Sequence, residues 1–310
     1  MRVLVTGGAG FIGHHLVAAL LDRGAEVVVI DDLSTGWIGR LSNVLERITM
    51  VEASILDDDA LHRSLAGCSA VLHHAALPSV ARSVRDPLST NEVNVTGTVR
   101  LMLAAGRAGV SRVIFAGSSS VYGSSGELPR RESQRCEPAS PYAASKLASE
   151  AYVHSMGSLL DIETASLRYF NVFGPGQDPE SEYAAVVPRF VTAALHGDEP
   201  VVFGDGQTTR DFTYVDNVVQ ANLRALEAPS LDRLTCNIGC GERSSLLELI
   251  DLIGRRVGRT LHPTFAPPRA GDVRDSLADI TLARERLGYE PDVELAEGVA
   301  RTVASYQAAQ

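Results

Sequence analysis

The sequence predicts an α/β fold: a doubly wound parallel sheet with helices on both faces, followed by a smaller C-terminal lobe. Three observations carry this. Apolar runs of strand length alternate with helical patterns through the first half. The first run ends in a glycine-rich turn that opens a helix. Beyond residue 170 the alternation breaks into Pro- and Gly-rich segments such as Gly174-Pro175-Gly176-Gln177-Asp178-Pro179.

Val3-Leu4-Val5 forms the first strand and runs into Thr6-Gly7-Gly8-Ala9-Gly10-Phe11-Ile12-Gly13. The helical pattern of Leu16, Val17, Leu20 and Leu21 then stops at Gly24. Glu26-Val27-Val28-Val29-Ile30 is a second buried strand, closed by Asp31 and Asp32. Strand, glycine turn, helix, strand and acid is the order of a Rossmann-type dinucleotide-binding unit. Gly7 allows the tight turn, Gly10 lets backbone N–H groups approach a pyrophosphate, and Gly13 lets the helix pack on the sheet. The helix N-terminus adds free donors and partial positive charge. Asp31 is placed to accept from ribose hydroxyls. A 2′-phosphate would meet Asp31 and Asp32 as like charges, and no arginine follows at once, so NAD is expected over NADP. Asp32 alone also reads as a solvated loop acid.

The alternation continues with strands at Arg47–Val51, Ala70–His74, Arg112–Ala116 and Ile162–Leu167, and helices at Asp59–Leu65 and Pro87–Arg107. Residues 1–170 thus read as the NAD-binding domain, with some later segments returning to it, and 171–310 mostly as a second lobe. Ligands of such sheets lie beyond the carboxyl ends of the strands. That edge gathers the residues from Gly7 to Phe11, Asp31, Ala75, Ala76 and the run Ser118-Ser119-Ser120. His73 and His74 are adjacent in a strand and point to opposite faces, so they make no metal pair. No metal is expected. Tyr142 and Lys146 lie four apart, on one face if helical. An ammonium beside a phenol favours the phenolate, a base suited to alcohol oxidation near neutral pH.

The 310 residues carry a net charge of -10, which argues against a nucleic-acid or anionic-membrane binder. Cys68, Cys136, Cys236 and Cys240 fit no disulfide framework and read as reduced thiols. The chain enters a strand at once, leaving no room for a signal peptide, and no apolar run reaches the length of a membrane span. A cytoplasmic location is expected.

At the Ser118–Gly123 turn and the Tyr142/Lys146 pair, the chain resembles the extended short-chain dehydrogenase/reductase family, particularly its nucleotide-sugar 4-epimerases. The likeness covers nearly the whole chain. It includes the glycine turn, Asp31-Asp32-Leu33-Ser34-Thr35-Gly36, His74-Ala75-Ala76, Asn94-Val95-Thr96-Gly97-Thr98, Ser118-Ser119-Ser120-Val121-Tyr122-Gly123 and Arg168-Tyr169-Phe170-Asn171-Val172-Phe173-Gly174-Pro175. The resemblance implies Tyr142 as base, Lys146 as the cation that lowers its pKa and binds the nicotinamide ribose, and Ser118 as the hydroxyl on the sugar 4-OH. It places Phe11, Ile12, Ser34, Thr35, Gly36, Ile55 and Asn94 along the NAD. Ser54 stands where the family commonly has Asp reading the adenine, which puts that contact in question.

The same resemblance assigns Asn171, Arg210 and Arg269 to the nucleotide diphosphate and Asp272 to its ribose, with Ser79, Ser119, Ser120 and Val187 also at the substrate. Family dehydratases carry Asp-Glu where Ser119 and Ser120 stand, and decarboxylases usually have Glu at the second position; the serines favour simple epimerisation. Ser276 occupies a position where a bulky tyrosine confines relatives to non-acetylated sugars, so a 2-acetamido group should fit. Gln177-Asp178-Pro179 and the Tyr183–Pro188 segment also resemble epimerases that accept UDP-GlcNAc. The expected reaction is C4 inversion of a UDP-hexose on bound NAD, in a homodimer joined through the helices at Pro87–Arg107 and Tyr142–Met156. A UDP-glucuronic acid 4-epimerase is the first alternative, with Arg82, Arg85 and Arg189 as carboxylate partners, although such relatives often have threonine at the Asn171 position. A dehydratase or reductase of the same fold, or a non-catalytic NAD-binding regulator, are the others. Asp216, ahead of a helix, is expected to be an N-cap.

Overall fold

The computed structural model describes residues 1–124, 127–179, 185–267 and 275–308. Six strands of the first half, β1 (Arg2–Thr6), β2 (Glu26–Asp31), β3 (Ile48–Glu52), β4 (Ala70–His73), β5 (Arg112–Ser118) and β6 (Glu163–Tyr169), alternate with helices. The helices are α1 (Phe11–Asp22), α2 (Asp58–Leu65), α3 (Val80–Arg85), α4 (Pro87–Asn91), α5 (Gly97–Ala108) and α6 (Pro141–Leu160). The second half adds short strands β7 (Val172–Phe173), β8 (Val201–Phe203), β9 (Thr209–Arg210) and β10 (Thr213–Tyr214), then β11 (Leu234–Ile238), β12 (Ser244–Ser245) and β13 (Thr264–Ala266). Its helices are α7 (Val186–His196), α8 (Val215–Glu227), α9 (Leu246–Val257), α10 (Thr281–Leu287) and α11 (Leu295–Ala308).

One seven-stranded sheet, in the order β11-β6-β5-β4-β1-β2-β3, organises the chain, and every pairing in it is parallel. Its central strands are apolar at consecutive positions because both faces are covered. Val3, Val5, Val27 and Val29 pack with α1, α8 and α10, whereas Leu4, Val28, Val71 and Val113 pack with α2, α5 and α6. The register Val3↔Val27 and Val3↔Ala70 aligns the ends of β1, β2 and β4. β11 and α8 come from the second half and return to this sheet. A separate apolar cluster of Phe173, Phe190, Val202, Tyr214, Leu249 and Val299 knits β7, β8 and β10 to α7, α9 and α11.

Two expectations need correction. The stretch at Pro87–Arg107 is not one regular helix: Glu92–Thr96 forms a π-helical turn between α4 and α5. Such turns accompany functional sites, and this one carries Asn94. A helix that the sequence reading did not anticipate, α3, precedes it. Asp86 ends α3, and its side chain accepts from Ser89 N–H to start α4, with Pro87 in the first position. Asp216 is not an N-cap. Tyr214 holds that position, and Asp216 sits in the first turn of α8, paired with Arg301. All four cysteines are free. No helix among the described residues is long and apolar enough to cross a membrane.

Candidate active site

The turn after β1 is built for close backbone approach. Gly7 has φ +69°, and a Cβ there would lie 2.7 Å from Ala75 N; one on Gly13 would lie 2.1 Å from the Gly7 carbonyl oxygen. Gly10 begins α1 without a side-chain cap or an acid in the first turn, so the N–H groups of Phe11 and Ile12 remain available to an anion. Across the turn Asp31 accepts from Ala9 N–H and Leu33 N–H, each at 2.9 Å. Burial pushes its carboxyl up, against those two bonds. Gly36 lies against this carboxylate, and exposed Asp32 accepts from both the N–H and the hydroxyl of Ser34. The narrow glycine cradle, the uncapped helix end and an acid closing β2 fit a dinucleotide with an unmodified ribose. Thr35 is exposed beside them. Ser54 spends its acceptor on Leu56 N–H at 3.2 Å, and Ile55 is buried in the core under α5.

Tyr142 is the second residue of α6 and faces Ser118 at the end of β5. Ser140 caps the helix by accepting from Ala143 N–H, and Pro141 occupies the first position. The Ser118 hydroxyl faces the Tyr142 phenol and acts to lower its pKa. Ser118 Oγ also lies 2.8 Å from Ser120 Oγ and accepts from Ser120 N–H. Burial raises the Tyr142 phenol above its ordinary range and the Ser118 hydroxyl opposes the rise. Burial, rather than Lys146, therefore dominates the phenol here, in contrast to the expectation from i, i+4 spacing alone. The lysine itself is buried, with Nζ 4.4 Å from the centre of the Phe115 ring. Burial brings it down to about 7, while Glu150 one turn further along pulls the other way. Glu150 is held by Arg168 Nε at 3.0 Å and Nη2 at 2.5 Å and by the Ser166 hydroxyl at 2.6 Å. Arg168 also donates to Tyr122 Oη at 2.9 Å, and Tyr122 donates to Asn237 Oδ1 at 2.6 Å.

Asn94 has protein partners at both ends of its amide. It is buried, its Oδ1 accepts from Leu77 N–H at 2.8 Å, and its Nδ2 donates to Ser145 Oγ at 2.9 Å. It ties the loop after β4 to the Tyr142 helix. His73 is buried between the hydroxyls of Thr6 and Thr98, and His74 Nε2 lies 2.9 Å from Tyr169 Oη. Ser79 caps α3 by accepting from Arg82 N–H at 3.0 Å.

Asn171, just past β6 with φ +31°, donates to the Asp211 carbonyl at 3.0 Å and lies 3.4 Å from Ser276 Oγ. Ser276 N–H donates to the Thr209 carbonyl, which places Asn171, Arg210 and Ser276 in one neighbourhood. Asp211 anchors it: buried, it accepts from the N–H groups of Cys240, Gly241 and Ala278 at 2.8 to 3.1 Å. Burial pushes its carboxyl up to about 6. The Val187 side chain is buried in the small apolar cluster. Arg269, Asp272 and Tyr183 lie outside the described residues.

A glycine-turn βαβ unit and a Ser–Tyr–Lys set at the carboxyl edge of the same sheet form the arrangement of a nucleotide-cofactor enzyme. The model of the NAD dependent epimerase/dehydratase family matches residues 3–239, and the chain belongs to that family. NAD is its cofactor. The chain is 44% identical to a UDP-glucose 4-epimerase of Mycolicibacterium smegmatis over 99% of both chains. Among solved structures it resembles the UDP-glucose 4-epimerase of Thermotoga maritima with UDP-glucose, at TM-score 0.95 and 39% identity, covering 100% of this chain and 99% of that one. It is equally close in fold to the UDP-N-acetylglucosamine 4-epimerase of Methanobrevibacter ruminantium in complex with UDP-N-acetylmuramic acid, at TM-score 0.95 and 37% identity, with the same coverage.

The sequence reading missed Glu150 and Arg40. The first had a signal, since Tyr142, Lys146 and Glu150 continue one helix face at four-residue steps. Arg40 had none. It donates to the Ala9 carbonyl at 3.1 Å and the Gly176 carbonyl at 3.0 Å, joining the glycine turn to a loop more than a hundred residues away.

Proposed function

We propose that the protein inverts C4 of UDP-glucose and of UDP-N-acetylglucosamine, reversibly and through a 4-keto sugar. The observation that carries this is Ser118 beside the Tyr142 phenol, with serines, not acids, at positions 119 and 120. Such a site can take a proton from an alcohol and return it, but has no carboxyl group there to drive elimination of water. When bound, NAD supplies the hydride acceptor and donor and, oxidised, a positive charge that opposes the burial cost on the phenol. Tyr142 takes the 4-OH proton while Ser118 holds that oxygen. Lys146 stands one turn along the same helix from Tyr142. Arg210, Asn171 and Arg269 hold the nucleotide phosphates, since a guanidinium fork matches phosphate oxygens. A ketosugar held mainly through its nucleotide is free to turn its other face before the proton and hydride return. The two relatives with UDP-glucose and UDP-N-acetylglucosamine names support the sugar choice.

The test is a product screen with UDP-Glc, UDP-GlcNAc and UDP-GlcA. Interconversion of the first two is expected; turnover of UDP-GlcA alone would replace this reading by the glucuronate one. Ser276→Tyr should lower kcat/KM for UDP-GlcNAc at least about tenfold more than for UDP-Glc, the scale of one pocket-filling contact. Equal losses would remove the pocket argument.

We also propose the lobe division at residue 170, a cytoplasmic location and a homodimer formed through α4, α5 and α6. Supporting the dimer, Leu88, Leu103, Tyr152 and Leu159 are exposed large apolar side chains on these helices. Sedimentation velocity should give a dimer. A monomer at micromolar concentration would remove that proposal, and recovery of the protein with a membrane or secreted fraction would remove the location.

A further inference from the structure

The first turn of α6 leaves N–H groups to be satisfied, and one of them belongs to Tyr142. Pro141 has none, Ala143 N–H goes to the Ser140 side chain at 3.1 Å, and Ala144 N–H to the Ser140 carbonyl at 2.9 Å. Tyr142 N–H instead reaches across to α3 and donates to Ser83 Oγ at 3.0 Å. Ser83 is fully buried, and its own hydroxyl proton goes to the Val80 carbonyl at 2.6 Å. The Tyr142 carbonyl is held as well, accepting from Ser145 Oγ at 2.8 Å, and Ser145 accepts from Asn94. Both ends of this residue's backbone are therefore fixed by side chains, and both links lead to the 77–83 segment that follows β4.

We propose that Ser83 is a positioning residue for Tyr142: its hydroxyl sets where the phenol stands relative to Ser118, and so couples the loop after β4 to the catalytic base. A serine is suited to this because one hydroxyl accepts from one element and donates within another. Its loss would leave a helix N–H without its partner and let the helix start shift. A displacement of about 1 Å at a reacting group can cost up to about a hundredfold in rate. The charged and titratable groups on the elements packed around the phenol include Lys146, Glu150 and His154 on its own helix, Arg82 and Arg85 on α3, Glu92 on the π-helical turn, Arg112 on β5, and His73 and His74 at the end of β4. None of them is altered by a change at Ser83.

The proposal rests on Tyr142 being the base, so its test has one arm that needs no substrate. Ser83→Ala is compared with wild type, with Ser83→Cys, which keeps a weaker donor and acceptor, and with Ser140→Ala, which removes a cap from the same helix end. The Tyr142 titration is read as the ultraviolet difference between each protein and its Tyr142→Phe counterpart. We expect Ser83→Ala to move that titration, to lower kcat about tenfold and to leave KM for the nucleotide sugar within about twofold. Ser83→Cys should restore part of both, and Ser140→Ala should lower Tm without moving the titration. An unmoved titration in Ser83→Ala, or equal shifts in Ser83→Ala and Ser140→Ala, would overturn the proposal. Should Ser83→Ala fail to fold, Ser83→Cys carries the comparison, and a wild-type titration there overturns it equally. A titration that moves in a protein turning over no UDP-sugar would leave the positioning role standing and remove the enzymatic reading alone.

Discussion

Tyr142→Phe should lower kcat by about a hundredfold to ten-thousandfold, the usual contribution of a general base, while the protein stays folded and keeps its NAD. The change removes one oxygen from a half-buried ring, so no large cavity opens. Its neighbour Ser118 keeps Ser120 Oγ at 2.8 Å and is not left without a bond. Lys146 stays over Phe115, and the Glu150–Arg168 pair behind it is untouched. What disappears is the group that can take the proton of the 4-OH. Steady-state turnover and the cofactor content of the purified variant check this together. Turnover within about tenfold of wild type would mean that another group, with Ser118 the nearest, acts as base. Loss of NAD would instead show that the phenol holds the cofactor in place.

The sheet was legible because its signal is local and redundant. Valine and leucine runs closed by Gly7 or Asp31 leave little choice of element, and parallel order follows from the helices between them. The Tyr142/Lys146 pair was legible as a motif but not as an electrostatic unit. Spacing says that ammonium and phenol share a face; it cannot say that burial outweighs their attraction. Asn94 shows the same limit. The family motif marks it as a cofactor residue, and only the fold shows that its amide also bonds Leu77 and Ser145. Links between distant segments, such as Arg40 to Gly176 or Ser83 to Tyr142, have no sequence period at all. They exist only once the fold has brought their elements together.

The Glu150–Arg168 pair should be the costliest ionic contact to break. Both side chains are less than a tenth exposed, and burial would push Glu150 up, but Arg168's hydrogen bonds and charge more than offset it and hold the carboxyl below its usual range. Glu150→Leu leaves the guanidinium buried without a counter-charge. We expect a loss of about 3–5 kcal/mol, or roughly 5–8 °C in Tm for a chain of this size. Adding Arg168→Met removes the uncompensated charge, so the double variant should recover a good part of the loss; a double variant no more stable than the single one would place the cost elsewhere. The pH dependence supplies an independent sign. Lys146 is held at about 7 in the folded chain against 10.5 as its ordinary value, so between those limits the unfolded state binds the extra proton and stability rises with pH. Below about 7 the burial cost is present in full. Glu150 is the group that opposes this depression, so its removal should lower Lys146 further and carry the rising limb of Tm against pH below 7. Lys146→Met in the Glu150→Leu background should abolish that added limb. A limb that survives the lysine's removal would mean that another group titrates there, and that Glu150 is not the counter-ion of Lys146.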